Sequence, residues 1–219
     1  MELREQRFGI EIEMTGITRA GAAKVAATYF GTRSEYVGTY YQTYAAVDQE
    51  GRQWKFMSDG SIRAEKKVNG EKRAAGAVYR TEMVSPICRY EDIEKIQELI
   101  RELKKKGAIV NESCGIHVHI DASPFDAGKL RNLTNIMAAK EDLIYKALGV
   151  SVERQHRWCR PVEERFLEEL NRRRPTSMEA VEEIWYNGRS RRGQHYDQSR
   201  YHCLNLHSVF QKGTVEFRL

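Results

Sequence analysis

A chain of 219 residues with 41% hydrophobic content and a mean hydropathy of −0.65 is long enough to bury one sizeable core, and a single domain spanning 1–219 is the expectation. No apolar run approaches the ~20 residues of a membrane helix, and the charged stretch from Met1 to Gly9 has no apolar signal region, so no membrane partner and a cytoplasmic location are expected. Four cysteines, Cys88, Cys114, Cys159 and Cys203, are too sparse for a disulfide scaffold and lack zinc-finger spacing, so they read as reduced.

The first pattern is Phe8-Gly9-Ile10-Glu11-Ile12-Glu13-Met14. Period-two alternation puts Glu11 and Glu13 on one face of a strand and Ile10, Ile12 and Met14 on the other. Thr18 then caps an alanine-rich helix to about Phe30, with Gly31 after it. Tyr40, Tyr41 and Tyr44 lead into a strand that turns at Asp48-Gln49-Glu50-Gly51 and returns through Trp54-Lys55-Phe56. Tyr36, these three tyrosines and Trp54 read as sheet packing. Ser58-Asp59-Gly60-Ser61 is turn chemistry at a strand end, from which Asp59 can reach a neighbouring site. Asn69-Gly70 signals a further hairpin.

Val78 to Val84 reads as a strand carrying Arg80 and Glu82 together, ending at Ser85-Pro86. Tyr90 to Lys106 is a helix with Ile93, Ile96, Leu99, Ile100 and Leu103 inward and Gly107 at its end. The stretch from Cys114 to Asp121 alternates again. His117, His119 and Asp121 share one face, while Ile116, Val118 and Ile120 form an apolar back. Asp126 caps a long helix with Leu130, Leu133, Met137, Ile144 and Leu148 inward, closed by Gly149. Pro161 opens a third helix to about Arg173, and Thr176-Ser177-Met178-Glu179 resembles a capping box for a fourth, ending near Asn187-Gly188. Tyr201 to Val209 and Thr214 to Leu219 alternate around Lys212-Gly213 as a closing hairpin, with Glu216 and Arg218 on one face.

Strands and helices do not alternate regularly, so the chain reads as an α+β domain with a mainly antiparallel sheet and helices on its apolar back. A bland antiparallel sheet turns such a polar face to water. These four faces instead carry Glu, His, Asp and Arg at i, i+2, with no lysine, which favours binding a cation or phosphate. Hard divalent ions prefer oxygen-rich sites of this kind. A glycine-rich phosphate loop is absent, so a nucleotide would be held through metal and sheet.

Gly-Ile-Glu-Ile-Glu, Ser-Asp-Gly-Ser-Ile, Thr-Glu-Met-Val-Ser-Pro, Cys-Gly-Ile-His-Val-His-Ile-Asp, Arg-Tyr-x-x-Leu-Asn-Leu and Gly-Thr-Val-Glu-Phe-Arg occur in this order. Together they resemble the amidoligase family of the glutamine synthetase and glutamate–cysteine ligase superfamily. That resemblance implies a curved antiparallel sheet, as in a glutamine synthetase catalytic domain, binding ATP with Mg²⁺ or Mn²⁺. It implies a ligase joining a carboxylate substrate to an amine substrate (amino acid, peptide or protein side chain) through an acyl phosphate. Carried over by motif, Glu11, Glu13, Glu82, His117 and Glu216 would be metal ligands. His119, Arg200 and Asn205 would bind ATP. Arg218 would stabilise the transferred phosphoryl, with Glu216 beside it, and Asp59 would lie near the amine. The chain ends at Leu219, directly after the Glu216/Arg218 strand, where family members usually continue with further helices, so that helix cover is expected to be missing.

Two other readings compete. His117 and His119 at i, i+2, with a glutamate, would suit a zinc-dependent hydrolase, although the surplus of carboxylates argues against it. Eleven arginines crowd the stretch from Arg154 to Arg200, and among them Arg172 to Arg174 and the loop cluster Arg189 to Arg192, the latter with no acidic partners in sequence, would suit a nucleic-acid-binding module, with Trp185 and Tyr186 close by for stacking. The small net charge of +5 and the acidic strand faces weigh against nucleic acid. The arginines interleaved with Glu163, Glu164, Glu168 and Glu169 read as a solvated helical face. His156, His195, His202 and His207 read as structural or surface histidines.

Overall fold

Thr18 does cap the alanine-rich helix. In the computed structural model, which describes residues 2–219, its side chain accepts from the Gly21 N–H at 3.1 Å, and Gly31 closes α1 (Arg19–Phe30) at φ 68°. Ala22, Ala23, Ala26, Ala27 and Phe30 are buried on the inward face. These small side chains let α1 lie close on β3 (Thr43–Val47) and β4 (Gln53–Met57).

The chain divides into two units, Met1–Ile116 and His117–Leu219, each with its own hydrophobic core. In the first, β2 (Ser34–Gly38), β3, β4, β7 (Thr81–Val84) and β1 (Phe8–Met14) pair antiparallel in that order. A separate hairpin, β5 (Glu65–Val68) and β6 (Glu71–Ala74), turns at Asn69 and Gly70, both at positive φ, as the Asn-Gly signal predicts. Behind the sheet, α1 also meets α2 (Asp92–Lys105), and Met14, Ala23, Phe30, Trp54, Met83 and Leu99 fill the space. Beyond β1, Thr15 bridges Ile109, and Gly16 sits at φ 80°. A Cβ there would lie 2.4 Å from the Gly107 carbonyl oxygen, so the close approach of these two segments requires glycine.

In the second unit β8 (Ile116–Asp121, from His117 on), β10 (Thr214–Arg218) and β9 (Leu204–Asn205) form an antiparallel set in that order. Asp126 caps α3 (Ala127–Leu148), accepting from the Lys129 N–H at 2.8 Å, and Gly149 closes it. Beyond α4 (Val152–Arg157) follow α5 (Glu164–Arg173) and α6 (Met178–Trp185), and α5 packs against both α3 and α6. The fold is α+β, with antiparallel strands and helices alongside them.

Several elements differ from the sequence reading. Residues 77–79 form a 3-10 turn, and β7 begins only at Thr81, so Arg80 closes that turn instead of sharing a strand face with Glu82. Tyr201 to Val209 is not a long strand. After the two-residue β9 the chain enters α7 (His207–Lys212), and β10 starts after Gly213. All of residues 202–209 are buried, so alternation there does not mark a two-faced strand. The cap of α6 is Ser177, which accepts from the Ala180 N–H, one residue beyond the expected box at Thr176. Pro161 precedes α5 by three residues, with Glu163 at the cap. Ile93 and Leu148, expected inward, are exposed. Tyr40 and Tyr41 are also exposed, so of the expected aromatic cluster only Tyr44, paired with Tyr36, and the fully buried Trp54 pack on the sheet.

An ion-pair network secures the outer end of the first unit. Arg52 holds Asp92, the first residue of α2, with two hydrogen bonds of 2.7 and 2.8 Å, and donates from Nε to Asp48 at 2.9 Å. Trp54 Nε1 also reaches Asp48, at 3.1 Å. The Arg52 fork pulls the Asp92 carboxyl down to about 2. A carboxylate depressed that far contributes roughly 2 kcal/mol of stability above its unfolded-state value, lost as pH falls through the folded one. Asp92→Asn should therefore lower the unfolding free energy by roughly 2 kcal/mol at pH 7. In urea unfolding followed by circular dichroism the difference from wild type should shrink below about pH 5 and be mostly lost by about pH 2. A difference of the same size at both pH values would show that Asp92 acts through something other than its charge.

Candidate functional site

In the first unit the pairing of β1 with β7 sets Glu13 directly opposite Glu82. Like charges opposite each other on antiparallel strands repel, so a bound cation would favour this register. Both side chains are turned inward, Glu13 3% and Glu82 9% exposed. The turn after β4 delivers a third carboxylate. Asp59 accepts from the Ser61 N–H at 2.6 Å, which fixes its rotamer, and its oxygen lies with those of Glu13 and Glu82 inside a 4.8 Å circle. Glu11, one pleat along on the same face, comes within the same distance of Glu82. Glu13 Oε2 also takes the Gly115 N–H at 2.6 Å, a charge-assisted bond that holds it in place. Glu13, Asp59 and Glu82 offer only carboxylate oxygens, which fits a hard divalent ion such as Mg²⁺ or Mn²⁺.

In the second unit the register lines up His119, Glu216 and Asn205 across three neighbouring strands. Glu216 is 1% exposed. Arg218 donates to its Oε1 at 2.6 Å, and Asn205 donates to its Oε2 at 2.7 Å. His119 Nε2 stands 3.8 Å from Oε1, and the ring is fixed at Nδ1 by Thr214 Oγ1 at 3.0 Å. Thr214 is supported in turn by Ser208 at 2.9 Å. His117 is buried and sits opposite Arg218 in the register. Arg218, only 7% exposed, lays its guanidinium over the Tyr201 ring and points Nε toward the Trp158 carbonyl.

Most of the predicted residues join one or other of these two groups: Glu11, Glu13, Asp59 and Glu82 in the first, and His119, Asn205, Glu216 and Arg218 in the second. Arg200 does not enter the row of strands. It lies on a 3-10 turn, donates to the His195 carbonyl at 2.9 Å and stacks on Tyr196 and Tyr201. Thr214 was missed, although it stands two residues before Glu216 and period-two alternation puts it on the same face. Ser208 gave no such signal, because α7 was read as strand.

Part of the basic segment is paired with acidic side chains. On the helices Arg172 meets Glu169 and Arg173 meets Glu183, as a solvated face requires. Contrary to the sequence reading, the loop arginines also have acidic partners: Arg191 lies 3.7 Å from Asp197 and Arg192 3.4 Å from Glu182. Tyr186 is buried, with its hydroxyl 2.6 Å from His207 Nδ1, and Trp185 Nε1 donates to Ser199. Burial thereby removes Tyr186 as a stacking platform. All four cysteines are free thiols. No helix among the described residues is long and apolar enough to cross a membrane.

A family model described as "Putative amidoligase enzyme" matches residues 4–219. No curated protein and no solved structure matches the chain.

Metal binding at the first-unit carboxylates is directly measurable. Mn²⁺ at about 100 times its Kd should stabilise the wild type by ~2.7 kcal/mol through mass action, read as a rise in melting temperature. Glu82→Gln, which removes a carboxylate close to both Glu11 and Glu13, should lose that rise. An equal shift in the variant would place the ion elsewhere.

Proposed function

Because this chain belongs to the amidoligase family, we propose that it is an ATP-dependent ligase that joins a carboxylate to an amine through an acyl phosphate. The observation that carries this reading is the oxygen-only grouping of Glu13, Asp59 and Glu82, with Glu11 beside Glu82. A carboxylate is a poor electrophile, and transfer of the γ-phosphoryl of ATP to one of its oxygens, with ADP leaving, gives it a leaving group. The amine nitrogen then attacks the carbonyl carbon, phosphate departs and a base takes the amine proton.

Each residue has a part. Glu11, Glu13 and Glu82 are assigned to a divalent ion, as are His117 and Glu216 from the family resemblance. When bound, such an ion offsets the negative charge of the phosphates. The grouping of Asp59 with Glu13 and Glu82 supports a role for it on the metal side in addition to that of base toward the amine. Arg218 meets charge on the transferred phosphoryl. Its contacts with Glu216 and the Trp158 carbonyl hold the guanidinium in one orientation, so little reorganisation accompanies the transfer. Thr214 fixes His119 through Nδ1, which leaves Nε2 as the nitrogen assigned to the ATP phosphates. Asn205 braces the second oxygen of Glu216. Arg200 keeps its assignment to the nucleotide through the motif it shares with Asn205. The curved sheet of a glutamine synthetase-like domain and a cytoplasmic setting belong to the same reading.

The rival readings find less support. A zinc hydrolase calls for nitrogen-rich ligands, and Glu13, Asp59 and Glu82 offer only carboxylate oxygens. The loop arginines of a nucleic-acid module are matched by Glu182 and Asp197.

Hydroxylamine supplied in place of the amine, with Mg²⁺, ATP and candidate carboxylates, should yield a hydroxamate together with ADP. Arg218→Lys, checked for an unchanged circular dichroism spectrum, should reduce that rate by about 10³-fold. ADP formed with neither hydroxamate nor amide would contradict the acyl-phosphate route.

A further inference from the structure

The second unit contains a cavity of about 250 Å³ that none of the residues assigned above enters. Its apolar wall includes Phe166 and Trp185, packed edge to face at 4.9 Å, and the edge of Trp185 meets His202 at 5.6 Å. Its polar rim carries Arg191 and Arg160 on the cationic side and Glu163 and Asp197 on the anionic side. Two charges of each sign favour a ligand that is itself both cation and anion.

His202 makes the case specific. It is 5% exposed, and its Nδ1 lies 2.8 Å from the Ser199 carbonyl oxygen. A carbonyl only accepts, so Nδ1 carries the proton and, in the neutral ring, Nε2 is an acceptor. Burial, with Arg160 nearby, holds this imidazole below its ordinary value and so favours that neutral form. Nε2 has no hydrogen-bond partner among the described residues, and the nearest charged atom is Glu163 Oε1 at 3.5 Å. Two acceptors face each other there with no donor between them. An unsatisfied buried acceptor costs roughly 1–3 kcal/mol, and an ammonium group, with three donors, would satisfy both. Nε2 is itself closed off, but Glu163 is 62% exposed, so that side chain can turn outward to admit the ammonium.

We propose that this cavity binds a free α-amino acid with an apolar or aromatic side chain. Its ammonium lies between His202 Nε2 and Glu163, its carboxylate meets Arg191, and its side chain rests against Trp185 and Phe166. The volume suits a ligand of this size, since sites for drug-sized molecules run from about 300 Å³ upward. Binding requires neither nucleotide nor metal, so its failure would leave the ligase reading untouched.

Isothermal titration of the full chain with L-phenylalanine and L-leucine, without ATP or Mg²⁺, is the test. At least one should bind with a Kd of about 1 mM or tighter. N-acetyl-L-phenylalanine, which lacks the ammonium, and phenethylamine, which lacks the carboxylate, should each bind about tenfold more weakly than L-phenylalanine or worse. Glu163→Gln and Arg191→Ala alter exposed side chains, so folding is not at risk, and each should weaken binding by about tenfold. No heat from either amino acid, equal binding of N-acetyl-L-phenylalanine or of phenethylamine, or unchanged affinity in both variants would overturn the proposal.

Discussion

A carboxylate with 1% of its surface exposed has to be held on both oxygens, and Glu216 is. Arg218 takes one oxygen and Asn205 the other. Removing a charge of this kind from water costs several kcal/mol, and that cost is offset only when partner groups meet it with good geometry. The second unit supplies the geometry through its strands. Asn205 and Glu216 are register partners, and Arg218 is the next residue on the same face of β10. Helix α7 makes this possible in a short span, since it carries the chain from β9 back to the start of β10 and places Ser208 against Thr214. The carboxylate is thereby fixed before any ligand arrives, the preorganisation that electrostatic catalysis requires.

The same constraint works in the first unit with a different outcome. Glu13 receives a backbone N–H from Gly115, while Glu82 and Asp59 crowd its other side. Where Glu216 is met by a guanidinium and an amide, Glu13, Asp59 and Glu82 bring carboxylate oxygens within 4.8 Å of one another. One unit thus presents a paired anion beside a rigid cation, and the other presents concentrated negative charge suited to a hard ion. A stiff scaffold supports the second arrangement. Alanine-lined α1 lies tightly on the sheet, and the Arg52 fork ties the start of β4 to the first residue of α2.

Much of this was legible from local rules. Thr18, Asp126, Gly31 and Gly149 mark helix ends because capping is decided within a few residues. The Asn69-Gly70 hairpin follows from the need for positive φ. The strands bearing Glu11, Glu13, His117, His119, Glu216 and Arg218 are readable from alternation alone. What alternation does not reveal is which face is buried. His117, Glu216 and Arg218 are buried, while Ile116 is exposed and Val118 only half-buried, the reverse of an apolar back and a polar front. Local pattern also misread Tyr201 to Val209, because burial on every side removes the contrast that distinguishes strand from helix. The acidic partners of Arg191 and Arg192 come from α6 and from the segment before a 3-10 turn, a pairing set by tertiary folding. The deficit at His202 could not be read either, since it depends on the Ser199 carbonyl taking one nitrogen and on burial closing off the other.

Nucleotide held through metal is the central claim, and direct titration tests it. A non-hydrolysable ATP analogue is titrated calorimetrically into wild type and Glu82→Gln, with Mg²⁺ and with EDTA. Binding in the wild type with Mg²⁺, at least tenfold weaker in EDTA and in the variant, is the predicted result. Equal affinity with and without the metal, or no binding to the wild type under either condition, would contradict it.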